Sequence, residues 1–153
     1  MGRWIVRIVL ALTAAAGLAA QDAPLGSERY TGTLELEISI EQLSTWAAQG
    51  QAAVQQQAAG KAFLLTGSMA KPIQSPGDTY TALIEFSEGK WIGTSRIELF
   101  RVYLELAGAE FEALGGITPG TRAIVVADKP TVKAGPDGKP AIYLRVISLR
   151  LLR

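Results

Sequence analysis

Two stretches, Ser68-Met69-Ala70-Lys71 and Ser87-Glu88-Gly89-Lys90, have the S-x-x-K spacing of a serine nucleophile with a lysine base. That chemistry needs the serine at a helix N-terminus and the lysine one turn later. Here one match falls at a strand end and the other in a turn. The accompanying S-D-N and K-T-G segments are missing, the first because the chain contains no asparagine. The chain also has no histidine and no cysteine. Imidazole bases, thiol nucleophiles, thiolate metal sites and disulfides are therefore excluded. No glycine-rich phosphate loop of either common pattern occurs. Glu35 with Glu37, and Glu110 with Glu112, stand two apart but lack the spacing of a calcium loop, and read as solvated faces. The expectation is a protein that is not an enzyme, with no catalytic residues, metal or cofactor.

Other residues suit binding. Trp91, between Gly89 and Gly93, sits where a turn is expected, and an exposed tryptophan there stacks on a ligand or closes a barrel end. Arg101 and Tyr103 are two apart, as are Tyr143 and Arg145, so each pair shares one strand face. These five residues form the candidate ligand-binding set. The competing reading places the arginine and tyrosine face beneath an N-terminal strand and helix.

The elements that must hold them are mostly strands. Leu34, Leu36, Ile38 and Ile40 alternate with Thr33, Glu35, Glu37 and Ser39, predicting a strand over 31–40 with one buried face. Ser39 and Gln42 fit a capping box. Leu43, Trp46, Ala47, Gly50, Val54 and Ala58 then recur at helical spacing up to Gly60. Further strands are expected over 62–69, 79–86, 96–106, 121–127 and 141–152. Turns are expected over 75–78, 87–89 and 135–138, and a compact non-strand segment over 108–116. In the last strand Ile142, Leu144 and Val146 keep one parity while Leu149 and Leu151 keep the other, which predicts a bulge near Ile147-Ser148.

Three strands, a short non-strand segment and two more strands is the element order of an OB-fold barrel. Phe63-Leu64-Leu65-Thr66-Gly67 resembles its opening strand, with glycine where the strand coils. Thr118-Pro119-Gly120-Thr121-Arg122 before Ile124-Val125-Val126 resembles the entry to strand four. Gly138-Lys139-Pro140-Ala141-Ile142-Tyr143-Leu144 resembles the turn into strand five. The resemblance covers about residues 61–152 and is similar to small exported bacterial OB-fold proteins, with no single family indicated. It implies a mainly β protein: an OB-like five-stranded barrel with an N-terminal strand and helix packed on it. It also implies that aromatic and arginine side chains on strands three and five form a binding surface for single strands or sugars.

The N-terminus carries an address. Arg3 and Arg7 precede the uncharged run Ile8–Ala20, short for a membrane span and right for a signal-peptide core. The expected layout is a signal peptide over 1–20, a flexible stretch over 21–30, a strand and helix extension over 31–60 and the barrel over 61–153. The expected location is periplasmic or secreted, with membrane contact only if the signal segment is retained. Removing Arg3 and Arg7 leaves 13 basic side chains against 14 acidic ones, a net charge of −1. Residues 21–114 carry six basic and twelve acidic groups, and residues 115–153 carry seven basic and two acidic. The basic strands either meet phosphates or pair with the acidic strands. The leading expectation is a non-catalytic binding module of the bacterial envelope, with a protein, glycan or small anion as ligand. Export and net charge argue against nucleic acid. The alternative is an oligonucleotide- or anion-binding protein using the basic C-terminal strands.

Overall fold

The computed structural model describes residues 32–74 and 81–152; the expected signal and flexible segments lie outside them. In chain order the elements are β1 (Thr33–Glu35), α1 (Ile40–Gln49), α2 (Gln51–Ala58), β2 (Lys61–Met69), β3 (Ile73–Gln74), β4 (Thr81–Ile92), β5 (Arg96–Ala107), α3 (Gly108–Ala113), β6 (Arg122–Ala134) and β7 (Pro140–Leu152). No helix among the described residues is long and apolar enough to cross a membrane.

Five strands close on themselves. β2 runs antiparallel to both β4 and β6, β4 antiparallel to β5, β5 parallel to β7, and β7 antiparallel to β6. This is the OB-like barrel order, with α3 between its third and fourth strands and β1 and β3 added at edges. Alternation puts Phe63, Leu65, Ile84, Phe86, Val102, Leu104, Val125, Ile142 and Leu144 inside, all fully buried. Closure requires a glycine at one point. A Cβ on Gly67 would stand 2.7 Å from the Ser87 carbonyl oxygen and 3.0 Å from the Phe86 ring, so β2 reaches β4 only without a side chain there.

The N-terminal helices join the same core. Ile40, Leu43, Ala47, Val54 and Ala58 are buried with the barrel interior, and the Trp46 ring meets Phe63 edge-on at 6.5 Å. Several expected boundaries are corrected. The 31–40 strand is only Thr33–Glu35, because Ser39 caps α1 and draws Ile40 into the helix. The Gln42 N–H donates to Ser39 Oγ (3.2 Å), and the Ser39 N–H donates to Gln42 Oε1 (2.9 Å). The single expected helix is two, broken where Gly50 adopts φ of 97°. The turn expected at 87–89 is strand. Gly89 lies opposite Leu99, and pairing continues to Ile92 opposite Arg96. Ser-Glu-Gly-Lys has the composition of a turn, yet the facing residues 96–101 supply a full ladder.

β6 also runs past its expected end at Ala127. Its ladder with β7 survives through two irregularities. Ile147 is the extra residue between the pairs Val126–Ser148 and Ala127–Val146, and Lys129, at φ of 48°, lies in the other, between Asp128–Arg145 and Thr131–Tyr143. The first is the bulge expected near Ile147-Ser148.

Candidate functional site

The two bulges set apart two regions on the outward face of the β6–β7 ladder. From the bulge at Ile147 towards the β6–β7 turn, the outward pairs are Asp128–Arg145, Thr131–Tyr143 and Lys133–Ala141. Before them the outward pairs are Arg122–Leu152, Ile124–Arg150 and Val126–Ser148.

The first region holds the sequence-predicted set. Tyr103 is opposite Tyr143 and Glu105 opposite Arg145 across the parallel β5–β7 pairing, while Arg101 lies two residues before Tyr103. Arg101, Tyr103, Tyr143 and Arg145 thus share one outward face. The tyrosine rings stack on each other, 5.0 Å between centroids and 21° apart, and are 4% and 8% exposed. The Lys133 ammonium lies 4.9 Å above the centre of the Tyr143 ring. The Tyr143 hydroxyl donates to the Ala134 carbonyl (3.1 Å). Burial pushes the Tyr103 hydroxyl above its ordinary pKa, with the Glu85 charge acting in the same direction. The ring faces that a ligand would use are thus committed internally. Each ring is covered in part by the other.

The cations of this region are paired as well. Arg145 donates from Nε and Nη2 to the two carboxylate oxygens of Asp128 at 2.9 and 2.8 Å, and Asp128 is buried. Lys133 Nζ is 2.8 Å from Glu105 Oε1, and Arg101 Nε is 3.9 Å from Glu85 Oε1. The pairing of basic with acidic strands therefore holds here.

The second region differs. Its rows run from β2 through β6 to β7 as Ser68–Arg122–Leu152, Thr66–Ile124–Arg150 and Leu64–Val126–Ser148, with no acidic residue in any of them. Arg122 and Arg150 are exposed. Neither has a carboxylate partner among the described residues. They are diagonal neighbours across an antiparallel pair, which sets them about 7–8 Å apart. Ser68, Thr66 and Ser148 place hydroxyls around them. This face belongs to the basic C-terminal strands noted in the sequence, but nothing in the sequence separated Arg150 from Arg145. That needed the register of the bulged ladder.

Trp91 stands apart from the tyrosines. It is on the same pleat face, opposite Ile97 and six pairs along the ladder from Tyr103, and is 64% exposed. The two S-x-x-K serines face each other on adjacent strands, and Ser87 Oγ is 3.5 Å from the Ser68 carbonyl oxygen. Lys90, of the second match, donates to both Glu41 oxygens at 3.0 and 2.7 Å, which raises its pKa. Neither lysine is one helical turn beyond its serine, so no nucleophile is built. No group of three acidic or other metal-ligating side chains assembles among the described residues.

No family model matches the sequence, and no curated protein matches it. Among solved structures, the chain is similar to the mitochondrial single-stranded DNA binding protein Rim1 of S. cerevisiae. That likeness has a TM-score of 0.38 and 12% identity, over 60% of this chain and 94% of that one. It is also similar to a small single-stranded DNA-binding protein from Streptomyces coelicolor, with a TM-score of 0.39 and 12% identity, over 60% and 91% of the two chains. The likeness is one of fold. The leading expectation, an envelope module for protein, glycan or small anion with nucleic acid set aside, is corrected on this finding, since both of these chains are single-stranded DNA-binding proteins by name.

Proposed function

We propose that this protein is a non-catalytic binder of single-stranded nucleic acid that holds phosphates with Arg122 and Arg150 on the outer face of β2, β6 and β7. The observation that carries the reading is the contrast within one ladder. Arg145 is neutralised by Asp128, whereas Arg122 and Arg150 stand exposed on a face with no acidic residue. Exposed arginines without carboxylates favour a polyanion, because guanidinium forks bond phosphate oxygens and release condensed counterions.

A single strand fits this face better than a duplex. Ile124, Val126 and Leu152 lie beside the arginines and offer apolar contact to unstacked bases, which a duplex keeps inside. A flexible strand also follows the curve of a barrel, whereas duplex DNA is stiff over about 150 base pairs. No histidine or cysteine is present to activate water or a hydroxyl, so the proposal is binding without cleavage. Export through residues 1–20 remains part of the proposal, placing the encounter in the periplasm or outside the cell. N-terminal sequencing of the fractionated protein checks that part, and a membrane-bound product beginning at Met1 would contradict it.

The binding test is a salt titration with a fluorescent oligonucleotide. Two phosphate contacts to a single strand give a slope of log affinity against log salt of about −1.4. Arg122→Ala with Arg150→Ala should flatten that slope and weaken binding roughly a hundredfold at low salt, taking about tenfold per charged hydrogen bond. No binding at low salt, or a slope unchanged in the double variant, overturns the reading.

A further inference from the structure

The hairpin of β4 and β5 carries a surface that oligonucleotide binding does not use. Its outer part consists of Glu88–Ile92 paired with Arg96–Phe100. The other strand neighbours of β4 and β5 attach elsewhere, at residues 82–83 and 86–87 of β4 and at 103–105 of β5. Among the described residues the ribbon therefore has no third strand. A ribbon of two strands is marginal in water, and its open edges are templates for pairing. One of its faces is apolar. Trp91, Ile97 and Leu99 are 64%, 51% and 58% exposed, and Trp91 lies opposite Ile97.

The direction of the open edge follows from one hydrogen bond. The Arg101 carbonyl accepts from Ser44 Oγ of α1 at 3.1 Å, on the side away from β4. Backbone groups alternate sides along an antiparallel strand, so Ile97 and Leu99 turn their N–H and C=O groups to that same open side. Arg96, Glu98 and Phe100 turn theirs to β4.

We infer that this edge pairs antiparallel with the same edge of a second copy of the chain, centred on Ile97 of both. Backbone alternation and charge select the same register. With Ile97 opposite Ile97, the two residues exchange both N–H···O bonds as a hydrogen-bonded pair. The adjacent positions are then non-bonded pairs, where side chains approach most closely, and they set Arg96 against Glu98 of the other copy on both sides of the two-fold axis. Centring on Leu99 instead would place Glu98 against Phe100 and require the Arg101 carbonyl that Ser44 already occupies. In the Ile97 register the apolar face becomes a continuous row, Trp91–Ile97–Ile97–Trp91, across four strands. The opposite face becomes a row of alternating charge, because Lys90 lies opposite Glu98 within each copy.

Sedimentation velocity of the full chain over a concentration series tests the pairing, together with two charge reversals, at exposed Arg96 and half-buried Glu98. Arg96→Glu sets Glu against Glu, and Glu98→Arg sets Arg against Arg, so each alone should weaken self-association about tenfold or more. Mixed in equal amounts, the two variants oppose charges again at both positions, and the heterodimer should form about as tightly as the unaltered dimer. Tryptophan emission should shift to shorter wavelength as the dimer forms and Trp91 leaves water. Restoration on mixing also shows that both variants are folded. An unaltered chain that stays monomeric throughout, single variants that associate as tightly as the unaltered chain, or a mixture that fails to recover association would each overturn the inference.

Discussion

The two ends of the β6–β7 ladder use arginine in opposite ways. Towards the turn, Arg145 is locked in a two-pronged bond to a buried carboxylate, and Tyr143 beside it is stacked between Tyr103 and Lys133. At the other end Arg122 and Arg150 stand exposed among hydroxyl and aliphatic side chains. The difference comes from supply. Asp128 is the only acidic residue within β6 and β7, so one arginine of that ladder is neutralised and register decides which. The lesson is that an arginine near an aromatic is not by itself a binding surface. Where a carboxylate and a second ring are available, the same residues become internal structure.

The sharpest way to break this contrast is at the stacked pair. Tyr103→Ala removes a ring that is 4% exposed and should cost about 3 kcal/mol, in the range for truncating buried aromatics. That corresponds to a fall in Tm of roughly 10 °C for a domain of this size. The salt slope of oligonucleotide binding should not change. A Tyr103→Ala protein that melts normally but binds weakly would reverse the assignment of the two regions.

Asp128→Ala comes next. It leaves the Arg145 guanidinium without its carboxylate, but the Arg145 side chain is 41% exposed and water can reach it. The expected loss is about 1–2 kcal/mol, below the cost of breaking a fully buried pair, and chemical denaturation measures it.

A smaller effect appears at high pH. Burial, then Glu85, raises the Tyr103 hydroxyl above its ordinary value of 10.0. The unfolded chain therefore loses this proton first. The contribution to stability is complete below pH 10.0 and disappears as pH climbs through the higher folded value. Melting curves of the unaltered chain and of Tyr103→Phe should converge or cross above pH 10, because phenylalanine has no proton to lose. Parallel curves would show that the hydroxyl is not held neutral by the fold. Smallest of all is the effect on stability at the exposed end. Arg122→Ala with Arg150→Ala should change stability by under about 0.5 kcal/mol, as surface substitutions do, while binding weakens roughly a hundredfold.

Much of the barrel was legible in the chain. Period-two alternation in 62–69, 96–106 and 141–152 reflects strands with one wet face and one dry face, and the parity change after Val146 announced the bulge at Ile147. The Ser39–Gln42 box marked the start of α1. The length of β4 was not legible, because Ser87, Glu88 and Gly89 favour a turn locally and are held extended by the facing residues Leu99 to Arg101 and, at Ser87, by Ser68 of β2. The shared face of Arg101, Tyr103, Tyr143 and Arg145 followed from spacing of two along each strand. That the rings would close on each other did not.

What the sequence by itself determined about this protein is the class of fold, the inward set of each main strand and the lack of histidine and cysteine chemistry. These depend on side-chain identity and on a period that the chain displays locally. Which arginine meets Asp128, which tyrosine faces are consumed and where β2 touches β4 through Gly67 were decided by tertiary structure alone. Each of these is a contact between residues distant in sequence, set by strand register. A shift of a single residue in register would turn every side chain of a strand to its other face.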